Sequence, residues 1–109
     1  PPVLSQVTLR SKRVYMNHKP VVSFRSSEDA TVSIRWQRCV GEAGKPCDKT
    51  VGSGAALRVQ SVAGNNRVVL KSKRVGMWQI ELVPVDSADV VGAGRKVALT
   101  VVRTRQRVR

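Results

Sequence analysis

The 109-residue chain carries 20 Lys and Arg against 7 Asp and Glu, one His, two Cys and four aromatic residues. That length suits one domain with little room for a second core, and 41% hydrophobic with 25% charged residues is a globular rather than a disordered composition. No apolar run approaches the ~20 residues of a membrane-spanning helix, and Pro1-Pro2-Val3 shows neither a basic n-region nor an apolar h-region, so neither segment is expected within the chain.

Periodicity of two dominates from end to end. A weak strand is predicted over Gln6 to Leu9, and another over Val21 to Arg25 with Val22 and Phe24 facing the core. The clearest is Ala30 to Arg38, where Ala30, Val32, Ile34 and Trp36 face one way and Thr31, Ser33, Arg35 and Gln37 the other. This is the signature of a half-buried antiparallel strand. Leu57 to Val62, with Leu57 and Val59 inward, and Arg67 to Lys71, with Val68 and Leu70 inward, follow. Trp78 to Pro84 turns Trp78, Ile80 and Leu82 inward, and Lys96 to Arg103 does the same with Val97, Leu99 and Val101. The expected core is therefore built on Phe24, Ile34, Trp36, Trp78, Ile80, Leu82 and Leu99.

Turn signals separate these runs: His18-Lys19-Pro20, Ser26 to Asp29, Gly41 to Pro46, Gly64-Asn65-Asn66, Val75-Gly76 and Asp86 to Gly94. Seven short strands in about a hundred residues, with no helical periodicity, predict an all-β fold, a seven-strand immunoglobulin-like β-sandwich over residues 1–103. The basic end, residues 104–109, either continues the last strand or forms a tail or linker.

Cys39 and Cys47 enclose Gly41, Gly44 and Pro46. In a secreted domain this pair reads as a disulfide pinning a loop, worth roughly 2.6 kcal/mol for about nine residues in the chain-entropy model. The competing reading is two free thiols in a cytosolic protein. Two Cys and the distant His18 fall short of a zinc site, and the spacing is not that of a redox Cys-x-x-Cys.

Val22 to Val32, Gly64 to Leu70, Gly76 to Ile80, Val85 to Ala88 and Val101-Val102-Arg103, taken in order, resemble bacterial secreted and cell-surface Ig-like (fibronectin-III-like) domains. Val22 to Val32, containing Phe24, Ser27, Glu28, Ala30 and Val32, is similar to the family's F-x-x-S-E-x-A-x-V stretch and leads into Arg35 to Cys39. Gly64 to Leu70 is similar to its Gly-x-Asn-Arg-Val-x-Leu strand, and Gly76 to Ile80 stands where the family has Gly-Arg-Tyr-Arg-Leu. Val85 to Ala88 stands at its Thr-Asp-Ala-Ala-Gly-Asn turn, and Val101-Val102-Arg103 matches its usual ending. Trp78 replaces the usual Tyr, which removes the tyrosine-corner hydroxyl bond and leaves an indole N–H to donate elsewhere. The segment Asp89 to Gly94 also departs from the compact family turn. The resemblance covers Val3 to Arg103 and implies an extracytoplasmic, non-catalytic module of secreted or envelope proteins, with no ligand named.

The candidate chemistry is sparse. Glu28-Asp29 reads as a turn rather than a carboxylate pair, and Asp86 with Asp89 as loop capping rather than a calcium site, which needs six to eight oxygens. His18 has no companion acid or nucleophile nearby, and no G-x-S-x-G motif is present. Gly52-Ser53-Gly54 and Gly92-Ala93-Gly94 lack the Lys-Ser/Thr of a phosphate loop. No enzyme, no metal site and no cofactor are expected.

The formal charge of +13 predicts attraction to polyanions. Arg10, Lys12, Arg13 and Lys19 flank the first strand, while Arg103, Arg105, Arg107 and Arg109 end the last, with all four Arg at period two. If first and last strands are neighbours, Arg10, Lys12, Arg13, Arg103, Arg105, Arg107 and Arg109 form one cationic edge. Such an edge meets a protein partner, through unpaired backbone, or an anionic cell-surface polymer; it also discourages aggregation between edges. Membrane insertion is not expected, whereas membership of a larger assembly is. The alternative is a basic nucleic-acid-associated subunit binding phosphate, with Tyr15 beside Arg13 as its lone stacking candidate.

Overall fold

The fold is that of a computed structural model, which describes residues 1–40, 47, 49–51, 56–71 and 73–103. These residues form an all-β structure of nine strands. They are β1 (Leu4–Leu9), β2 (Arg13–Tyr15), β3 (Val21–Ser26), β4 (Ala30–Val40), β5 (Lys49–Val51), β6 (Leu57–Ser61), β7 (Gly64–Val69), β8 (Gly76–Val85) and β9 (Arg95–Val102). A three-stranded sheet runs β1-β3-β7, and a larger one runs β2-β9-β8-β4-β5, with β6 also pairing β4.

The alternation in β4 decides which side of the large sheet is covered. Ala30, Val32, Ile34 and Trp36 are buried, while Arg35 between them is exposed. Opposite, β8 contributes Ile80 and Leu82 and β9 contributes Leu99 and Val101; Leu4, Val22 and Phe24 come from the small sheet, and Leu70 follows β7. Together these side chains fill the space between the two sheets. Pro84 lies inside β8 without costing a ladder bond, because its nitrogen faces the side on which β9 has not yet begun. There the carbonyl of Pro84 instead accepts the Gly92 N–H at 2.9 Å.

The count of nine differs from the seven strands expected, for two local reasons. The first expected strand is longer and bulged: β1 pairs β3 with a register shift between Ser5 and Thr8, where Gln6 takes a left-handed φ of 51°. The chain then leaves that sheet and β2 joins the other one, parallel to β9. At three residues each, β2 and β5 are too short to show an alternation.

The other differences lie around β6 and β7. Leu57, expected in the core, is 45% exposed, because β6 is an edge strand that pairs only β4. Val59 and Val68 are half-buried. Gly64-Asn65-Asn66 opens β7 rather than forming the turn. The turn signal is nonetheless physical, since the Asn66 side chain bonds both Val62 N–H (3.0 Å) and Val62 carbonyl (2.8 Å) and so closes the β6–β7 connection. Gly76 likewise begins β8 instead of ending a turn.

Trp78 is half-buried against the core, its ring edge-on to Trp36 at 6.2 Å. Its indole N–H donates to the carbonyl of Arg74, 2.9 Å away and four residues upstream. Cys39, next to last in β4, and Cys47, two residues before β5, are joined in a disulfide with Cα atoms 5.5 Å apart. The turn signal over Gly41 to Pro46, between the two cysteines, lies outside the described residues.

Candidate functional site

The cations expected at one edge are divided by the way the chain changes sheets. Arg10 stays with the small sheet, its N–H bonded to the Val21 carbonyl at 2.8 Å. Lys12 and Arg13 pass to the large sheet: Thr100 N–H donates to the Lys12 carbonyl (2.9 Å), and Arg13 stands beside Thr100 in register. Met16 N–H closes the pairing on the Val102 carbonyl at 2.8 Å, immediately before Arg103. Lys12, Arg13 and Arg103 are all exposed on this β2–β9 edge. Arg105, Arg107 and Arg109 lie outside the described residues.

The same pairing leaves part of β9 open. Thr100 N–H and the Val102 carbonyl point to β2, so the backbone groups of Ala98 and Lys96 point the same way, by the alternation of an antiparallel strand. However, β2 pairs only Thr100 to Val102. Beside the open stretch is a depression lined by Val7, Leu9 and Val97 together with Lys12 and Lys96. The Arg95 side chain spans from β9 to the small sheet, donating through Nε to the Leu4 carbonyl at 3.0 Å. Sequence reading passed over Lys96, because a single Lys in an alternating strand gives no sign that it sits beside an unpaired edge.

Other charged residues are occupied structurally. The Asp86 carboxylate accepts the N–H groups of Ala88 (2.8 Å) and Val90 (2.9 Å), and Asp29 accepts that of Ala63 (2.9 Å). Both acids therefore cap turns. Lys73 holds its ammonium 4.9 Å from the centre of the Trp36 ring and 5.8 Å from that of Trp78, a cation–π position at one end of the core. Its neighbours Lys71 and Arg74 are exposed. Tyr15 is 38% exposed and packs edge-on against His18 at 5.6 Å. Among the described residues no group of three or more His, Cys, Asp or Glu side chains comes together.

The arrangement defines a class: a two-sheet, all-β module with one disulfide and a basic, half-open edge. No protein-family model matches the chain, and no curated protein is significantly similar to it.

Proposed function

We propose that the chain is an Ig-like, non-catalytic extracytoplasmic module that associates with a protein partner or an anionic envelope polymer through its β2–β9 edge. One observation carries this reading: Lys12, Arg13 and Arg103 sit beside a stretch of β9 whose Lys96 and Ala98 backbone groups have no paired strand among the described residues. An extended partner segment gains main-chain bonds there and side-chain contact with Val7, Leu9 and Val97, the mode of recognition by strand addition. The cations add attraction that salt weakens. The Ig-like assignment is supported by two sheets around one apolar core and by the indole bond at the corner position. The extracytoplasmic assignment is supported by the Cys39–Cys47 bond, since disulfides persist in oxidising compartments.

Retention on an immobilised acidic polysaccharide at low and moderate salt tests the charge-mediated half. The Lys12→Gln, Arg13→Gln, Arg103→Gln variant should elute at lower salt than the parent. Equal elution removes this edge from polymer binding. The nucleic-acid alternative draws on the same charges; its one aromatic candidate, Tyr15, is already packed on His18.

A further inference from the structure

The outward face of the small sheet has a chemistry of its own. Phe24 is 2% exposed and points into the core, so its neighbours Ser23 and Arg25 point outward. On β7, Asn65 stands opposite Arg25 and Arg67 opposite Ser23; on β1, Ser5 stands opposite Arg25 and Thr8 opposite Ser23. The sequences of β1, β3 and β7 contain no Asp or Glu. Arg25 and Arg67 are therefore diagonal neighbours, about 7–8 Å apart at the backbone, with no carboxylate from these strands between them. Two like charges in this relation repel, and an anion placed between them removes the repulsion.

Two further features shape the face. The Arg25 guanidinium donates to Asn65 Oδ1 at 3.4 Å, which leaves the Asn65 amide N–H₂ free to donate outward. Gln6 occupies the bulge of β1 with its left-handed φ, a backbone conformation that non-glycine residues adopt at a cost. An open depression beside these groups is lined by Gln6, Thr8, Ser23, Asn65, Asn66 and Arg67, and by Phe24, which at 2% exposure offers no ring surface for stacking. The outward inventory is thus two guanidinium forks (Arg25, Arg67), two amides (Gln6, Asn65) and three hydroxyls (Ser5, Thr8, Ser23), with no outward aromatic ring on the three strands.

We infer that this face binds an acidic polysaccharide, with Arg25 and Arg67 holding its carboxylate or sulfate groups and Gln6, Thr8, Ser23 and Asn65 bonding its hydroxyls. The inference rests on the polymer-binding reading above and adds a site for it, separate from the β2–β9 edge. Guanidinium forks match planar and tetrahedral oxyanions, and amides and hydroxyls match sugar hydroxyls. A nucleic acid strand is the poorer fit, since base stacking needs aromatic surface that this face lacks.

Equilibrium titrations with polygalacturonate, which carries carboxylates alone, with heparin, which adds sulfates, and with single-stranded DNA test the assignment. Arg25→Gln with Arg67→Gln should weaken polysaccharide binding by about tenfold, the scale of one charge-assisted pair, with an unchanged thermal midpoint. The sulfated or the carboxylated probe, whichever loses more, identifies the acid group. Lys71→Gln with Arg74→Gln removes the same net charge at two exposed residues outside both this face and the β2–β9 edge, and should cost less than about threefold. Asn65→Ala, which changes no charge, should weaken the polysaccharides and leave DNA unaffected. Equal losses from the two charge pairs, or equal losses for DNA and polysaccharide, overturn this face as a site while leaving charge-mediated association standing. Absence of any polysaccharide binding by the parent protein overturns both.

Discussion

At the scale of single residues, the fold depends on a few side chains whose surroundings leave no room for exchange. Trp36 is 7% exposed and meets Trp78 edge-on. Trp36→Ala should cost roughly 3–5 kcal/mol, a large share of a small domain's stability, read from urea unfolding. A loss below about 1 kcal/mol would mean that Trp36 is not packed as described. Gly92 is a second such position, for a different reason: a Cβ there would collide with the Pro2 carbonyl oxygen. Gly92→Ala should lower the thermal midpoint, by about 1–3 kcal/mol of overpacking, whereas Ala at Gly64 meets no neighbouring atom and suffers only its left-handed φ of 98°. The Gly92 constraint could not be read from the sequence. Gly92-Ala93-Gly94 looks like an ordinary loop, and the collision involves a residue ninety positions away. The capping role of Asp86 was easier to read, because Asp in a turn bonds nearby backbone by a local rule, whereas Asp29 accepts from Ala63, 34 residues along the chain, which no local rule gives.

At the scale of elements, the long strands declare themselves and the short ones do not. Ala30 to Arg38 and Trp78 to Pro84 alternate because each lies in the middle of the large sheet with one face on the core. The passage from β1 to β2 depends instead on a bulge at Gln6 and on partners far along the chain, and nothing in Ser5-Gln6-Val7 marks it. Leu57 misleads for a related reason, since an alternating strand at an edge need not be covered. The disulfide acts at this scale as well, tying the last residues of β4 to β5. Replacing Cys39 and Cys47 together by Ser should leave the β-sheet circular dichroism unchanged and lower the unfolding free energy by about 2.6 kcal/mol, what the loop-closure model gives, read as a lower denaturation midpoint. The open stretch of β9 makes a further prediction. Ala98→Pro removes only an N–H that faces away from β8, so the protein should still fold, with a modest loss of about 1 kcal/mol or less, while losing any partner that adds a strand there. Unfolding on this substitution would show that the Ala98 N–H is already paired.

At the scale of the whole molecule, the charge is not spread evenly by role. Arg25 and Arg67 share one face with no acid on its strands, Lys12, Arg13 and Arg103 share an edge, and Lys73 is engaged by two indole rings. Total charge was legible from the sequence, while the nearness of first and last segments entered there only as a condition for a single cationic edge. The division between face and edge was not legible, because it follows from the chain changing sheets between Arg10 and Arg13. Attraction of the protein to an acidic polymer should fall steeply as the screening length shrinks to about 8 Å near physiological salt, checked by column retention across a salt series. The Trp36–Trp78 pair carries one more consequence. The two are the only indoles in the chain, they stand perpendicular at 6.2 Å, and they come from different strands. Their transitions couple as an exciton, so the ultraviolet dichroism of the native protein holds a signal belonging to one contact between β4 and β8. Either Trp→Phe replacement abolishes that couplet, and its decay during unfolding times the separation of those two strands with no added label.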